Sequence, residues 1–153
     1  MAQRSPLVVT LLFLALTVGG GLLIGTVSMP DGWFAALQKP SFQPPNWLFG
    51  PVWTILYVLI GIAGARLYLH APQSGAMRLW WAQLVLNFLW SPAFFAFHQP
   101  ALALLVVAAL LVVLVALIGS ALPRDRIAAL LLVPYGLWVS FATLLNAAIV
   151  WLN

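Results

Sequence analysis

The chain has 153 residues, of which 65% are hydrophobic and only 5% charged; a soluble domain carries about a quarter charged residues, so a water-facing globule is excluded. Its net charge of +4 comes from six Lys and Arg scattered singly, which leaves no basic patch and excludes a nucleic-acid partner. No Cys is present, so disulfides, thiolate metal sites and thiol catalysis are unavailable.

The composition and the spacing of apolar runs predict an all-α protein, an integral membrane bundle of five transmembrane helices in a single domain. The helices are expected at about 6–28, 47–69, 77–97, 101–120 and 127–151, each with the roughly 20 residues that a bilayer requires. The first segment is too long to be the apolar core of a signal peptide and reads as a spanning helix. Its Gly19, Gly20, Gly21 and Gly25 point to close helix contact, with a dimer seam through Gly21 and Gly25 as one form of it and a hinge as the weaker alternative.

The long loop at 29–46 and the start of the second helix interrupt this apolar pattern. Trp33, Trp47 and Trp53 stand there with Pro40, Pro44, Pro45 and Pro51, so a stiff backbone offers large amphipathic rings at the membrane surface. The loop, with Trp33, Phe34, Lys39 and Trp47, is expected to act as a lid. Lys39 is a candidate for meeting a ligand carboxylate, although a lone Lys is more often simply solvated.

On the second helix Gly50, Trp53, Thr54, Tyr57, Gly61 and Gly64 share one side. For Gly61 and Gly64, helix packing is the favoured reading. The third helix carries Gln83, Asn87, Trp90, Ser91 and Phe94 on one face. Amides in lipid are costly unless paired or facing a cavity, so this stripe is either interhelical glue or a cavity wall. The fourth helix is almost bare of polar groups and reads as a plain wall. On the fifth, Tyr135, Trp138, Ala142 and Asn146 share a face, and Pro134, like Pro92 on the third, should bend its helix.

Arg4, Arg66, Arg78, Arg124 and Arg126 fall on the N-terminal side of this topology, and Lys39 alone on the other. The positive-inside rule then places the N-terminus in the cytoplasm and the C-terminus outside. The carboxylates Asp31 and Asp125 lie at opposite membrane faces, as do His70 and His98. Neither pair can build an acid and base couple or share a metal, so no catalytic residue and no metal site is assigned. Together, Trp53, Tyr57, Trp90, Phe94, Tyr135 and Trp138, with Asn87 and Asn146, suit a pocket for a flat aromatic ligand, in which rings stack and amides orient.

The run KPSFQPPNWLFGPVWTILY at 39–57, with WWAQLVLNFLWSPAFF at 80–95 and VPYGLWVSFATLLN at 133–146, resembles the translocator protein family, TspO/MBR. The resemblance implies a five-helix bundle, often dimeric, that binds protoporphyrin IX, haem-type tetrapyrroles and drug-like ligands under the first loop, with no required cofactor. Carried onto this chain, it implies ligand-binding roles for Phe34, Trp47, Trp53, Tyr57, Asn87, Ser91, Phe94, Trp138, Ala142 and Asn146. Eukaryotic members carry a sterol-recognition motif, a Tyr followed closely by a Lys or Arg, near the end of the last helix; here that stretch reads NAAIVWLN, so sterol binding is expected to be weak or absent. A multi-pass protein of a bacterial cell membrane is expected. Three functions stay open: a tetrapyrrole sensor or carrier, a photo-oxidative porphyrin-degrading enzyme with Trp53 or Trp138 as redox partner, and a structural membrane subunit.

Overall fold

The computed structural model describes residues 3–153. Among them every regular element is helical. Helix α1 spans Pro6–Val27. The short α2 covers Gly32–Ala36. Helix α3 runs Asn46–His70, α4 Gly75–Ser91, α5 Pro100–Ala121 and α6 Arg126–Leu152. Side-chain caps set three of the starts: Asp31, Ser74 and Asp125 accept hydrogen bonds from the N–H groups of Phe34, Met77 and Ala128. The expected starts of the third and fifth helices fall a residue or two late for want of these caps.

The result is a helical membrane bundle. Helices α1, α3, α5 and α6 are each long and apolar enough to cross a bilayer. Helix α4 has 17 residues and is prolonged by a π-helical turn, Pro92–Ala96. The cause is Pro92, which has no N–H to continue the α-helical ladder. Phe97 N instead bonds Pro92 O at 2.9 Å. Pro134, by contrast, sits inside an α6 that continues through it.

In the bundle α5 packs between α4 and α6, α6 also packs on α3, and α3 on α1. Trp80 anchors the centre: it is fully buried and its indole donates to Ile60 O at 3.0 Å. A Cβ on Gly64 would overlap the Trp80 ring, so helix packing does explain that glycine. Gly61 serves the same end, facing Thr17 and Leu14 of α1. A π-helical turn at Ala15–Gly19 widens α1 here, and the Thr17 hydroxyl reaches Tyr57 O at 2.8 Å.

The glycines of α1 divide into two kinds. Gly21 faces the Tyr57 ring and Gly20 the Phe88 ring, so both serve contacts within the chain, while Gly19 and Gly25 have open space where a side chain would be. The second half of α1, Gly20–Val27, buries no residue. It meets the bundle through Gly20 and Gly21, and others of its residues border a cavity.

The loop after α1 is not irregular throughout, since α2 lies within it. Trp33 stacks on His98 with ring centroids 4.3 Å apart, and Asp31 meets His98 Nε2 at 3.0 Å. His98 holds φ of 53°, a left-handed conformation that His tolerates better than most residues. Lys39 donates to Ala35 O and Leu37 O and lies 4.6 Å from the centre of the Phe34 ring. It caps the loop helix and is absent from the cavity lining.

Candidate functional site

Between the second half of α1 and the faces of α3, α4 and α6 lies a cavity of about 490 Å³. Phe34 of α2, itself buried against Phe94 and Phe95, covers it from the loop side. From α3 come Trp53 and Tyr57; from α4 come Asn87, Trp90, Ser91 and Phe94; from α6 come Ala142 and Asn146. Helix α5 contributes nothing, in keeping with its bare sequence. The exposed Leu22, Gly25, Gly50 and Thr54 carry the lining outward between α1 and α3.

Three residues grouped with these in the sequence stand elsewhere. Trp47 projects from the start of α3 and is 72% exposed. Tyr135 is fully buried behind the wall. Trp138 packs against Phe49 and Phe141, outside the lining. Trp47 was grouped with the site as a loop residue on the strength of the resemblance, and Tyr135 and Trp138 by helical periodicity, which fixes a shared face and not what packs against it.

The amides are already engaged. Tyr57 Oη donates to Asn87 Oδ1 at 2.7 Å, Asn87 Nδ2 donates to Tyr135 Oη at 2.7 Å, and Tyr135 Oη donates to Gln83 Oε1 at 2.8 Å. This chain joins α3, α4 and α6 through buried groups. Nearer the loop, Trp90 Nε1 donates to Asn146 Oδ1 at 3.0 Å and Asn146 Nδ2 to Pro100 O at 2.9 Å. Both readings of the polar stripe therefore hold in part: Asn87, Trp90, Ser91 and Phe94 line the cavity, Gln83 stands behind it bonded to Tyr135, and the bonds of Gln83, Asn87 and Trp90 fasten the helices.

The lining carries no charged residue. Trp53 packs on Tyr57 at 5.4 Å and on Trp90 at 6.1 Å between ring centres, which makes a continuous aromatic surface. The sequence reading missed Gln43 and Ser28, which also line the cavity; a lone Ser at a helix end and a Gln between prolines give no periodic signal.

The ionisable groups gather at the two ends. Asp125 is held by Arg66 Nε at 2.9 Å and by His70 Nδ1 at 2.8 Å. Burial pushes its carboxyl up, but the Ala128 N–H, His70 and Arg66 outweigh this and hold it below its ordinary value. At the other end the Phe34 N–H, opposed by slight burial and aided by His98, lowers Asp31. Among the described residues no group of three His, Asp or Glu could hold a metal ion.

Fold and cavity together define a class: a multi-pass helical membrane protein with an uncharged, aromatic-walled cavity roofed by a short loop helix. The profile of the TspO/MBR family matches residues 9–152, and the chain belongs to that family. It is 41% identical over 133 residues to a tryptophan-rich protein TspO of Archaeoglobus fulgidus, covering 84% of each chain. It is 36% identical to a tryptophan-rich sensory protein of Cereibacter sphaeroides, over 94% of this chain and 90% of that one. The human translocator protein is 36% identical over 74% of this chain and 70% of its own.

Proposed function

We propose that this protein is a membrane receptor or carrier that binds porphyrins and related tetrapyrroles in the cavity beneath the loop. The observation that supports the reading most is the uncharged cavity of about 490 Å³ with Trp53, Tyr57, Trp90 and Phe94 on its walls, a size and composition suited to a flat apolar ligand. Kinship with proteins named as a sensory protein and a translocator protein agrees with it. The bundle crosses a bacterial cell membrane five times, α4 with its π-helical extension making the fifth crossing, and the N-terminus is cytoplasmic. No cofactor is needed for binding.

Titration of the purified protein with protoporphyrin IX, followed by the porphyrin absorption band and by tryptophan fluorescence, tests this. Saturable binding at one porphyrin per chain is expected. Linear, unsaturated uptake equal to that of empty detergent micelles would overturn it.

A second reading draws on the contact of Trp53 with Trp90 and Tyr57: rings that face the ligand can exchange electrons with a photo-excited porphyrin. Under this reading illumination in the presence of oxygen consumes bound porphyrin faster than free porphyrin.

A further inference from the structure

Four buried polar atoms lack a hydrogen-bond partner among the described residues: Ser28 Oγ, Gln43 Oε1, Gln83 Nε2 and Trp138 Nε1. A buried donor or acceptor left unpaired costs about 1–3 kcal/mol, so native proteins keep few of them. Two of the four, Ser28 and Gln43, line the cavity, and the other two do not. Ser28 is 5% exposed and closes the end of α1; Gln43 belongs to the loop between α2 and α3. Both residues therefore border the cavity at its loop end.

The deeper amides do not compete for this task. Asn87 and Asn146 each have both amide atoms bonded within the protein. Nor does a charge: Lys39 is turned to backbone carbonyls, and the lining has no ionisable group other than the bonded Tyr57 phenol. What the loop end offers is a hydroxyl and an amide, a neutral pair that can both donate and accept.

We propose that Ser28 and Gln43 form the polar recognition site of the cavity, and that they take the carboxyl edge of a flat aromatic ligand, the ring lying inward on Trp53 and Trp90. This orients the ligand with its carboxyl groups toward the loop and its apolar edge toward Tyr57. The Ser28 hydroxyl donates to the carboxyl oxygen. Gln43 Oε1, the acceptor without a partner, accepts from the carboxyl O–H, a donor that an ester lacks.

The inference rests on the porphyrin reading above, and the test separates the two. Protoporphyrin IX and its dimethyl ester are titrated into the wild type, Ser28→Ala and Gln43→Leu, and each ligand-free protein is melted in the same detergent. The wild type should prefer the acid to the ester by several-fold. Gln43→Leu should erase that preference, and Ser28→Ala should weaken both ligands by several-fold. Because the two side chains are unpaired without ligand, neither substitution should lower the melting temperature. Unchanged preference and affinity in both variants, with the wild type still binding porphyrin, would overturn this inference alone. A clear fall in melting temperature would show the two side chains to be structural and overturn it as well, whatever binds. If the wild type takes up neither porphyrin, the binding reading and the inference fall together.

Discussion

Tyr57 and Asn87 meet at 2.7 Å, hydroxyl to amide oxygen, and Asn87 passes the connection on to Tyr135 at 2.7 Å. The pair joins α3 to α4 at the floor of the cavity, so the most prominent amide of the membrane interior is first of all a fastener. Burial raises the stakes, because a network in a low-dielectric interior is costly once one member is missing.

Asn87→Leu should therefore act on stability. It leaves the Tyr57 and Tyr135 hydroxyls each short of a partner, a loss of about 1–3 kcal/mol. A lower melting temperature in detergent is the expected outcome, with a smaller change in porphyrin affinity per folded molecule. A variant that melts like the wild type would show that the three-helix clasp carries no weight.

Tight packing at Gly64 leads to a second expectation. Gly64→Ala drives a methyl group into the Trp80 ring, and Trp80 cannot retreat because it is fully buried and tied to Ile60 O. Overpacking of this kind costs about 1–3 kcal/mol. Gly119→Ala on α5, where nothing lies within 4 Å of the added carbon, should be neutral or stabilising by up to about 1 kcal/mol through helix propensity. Equal melting temperatures for the two variants would contradict the packing described.

Much of this fold was legible in the sequence, and the reason is physical. Apolar runs of bilayer length leave no choice but helices, because backbone groups must pair within their own segment. The bare α5 was readable as a wall, and Trp53, Tyr57, Asn87, Trp90 and Phe94 as one lining, since 3.6-residue periodicity fixes which side chains share a face. It does not fix what lies opposite that face. Tyr135 and Trp138 share a face with Ala142 and Asn146 yet end behind the cavity. The bonds that decide this are long-range, such as Asn87 to Tyr135. The two clusters of His and Asp were invisible for the same reason: sequence separates the histidines and the carboxylates correctly, but the pairing of His98 with Asp31 and of His70 with Asp125 comes only from the fold.

Acid should loosen the Arg66, His70 and Asp125 cluster. The carboxyl of Asp125 titrates below its ordinary value in the folded protein. The sign follows: its stabilisation is complete above the ordinary carboxylate range and is lost as pH falls through the lowered value. Melting temperature should thus fall on acidification below the ordinary carboxylate value of 3.8, and the acid-dependent part should shrink in Asp125→Asn, which is also less stable at neutral pH. An identical pH profile in wild type and variant would remove Asp125 as the source.

Topology gives the next expectation. Five Arg lie toward one face and Lys39 toward the other, so the loop bearing α2 should be outside and the turn at Gln73 inside. A cysteine placed at Ser41 should react with an impermeant thiol reagent on intact cells, and one placed at Gln73 only after the membrane is opened. The opposite pattern would invert the orientation.

The tryptophans separate the cavity from its surroundings most sharply. Trp53 lines the cavity and stacks toward Trp90 and Tyr57. Trp138 sits behind Phe49, with its ring against Phe49 and Phe141. A stacked ring contributes about 0.5–1.5 kcal/mol beyond the area it buries, which corresponds to roughly a two- to tenfold change in affinity. Trp53→Leu should therefore weaken protoporphyrin binding by up to about tenfold, whereas Trp138→Leu should change it far less and show its effect in the melting temperature. The same pair sorts the photochemical reading. If light consumes bound porphyrin through a ring in contact with it, Trp53→Leu should slow that loss even at saturating porphyrin, while Trp138→Leu should leave it near the wild-type rate. Greater sensitivity to Trp138 than to Trp53, in binding or in light-driven loss, would place the ligand on the far side of Phe49 and away from the cavity proposed for it.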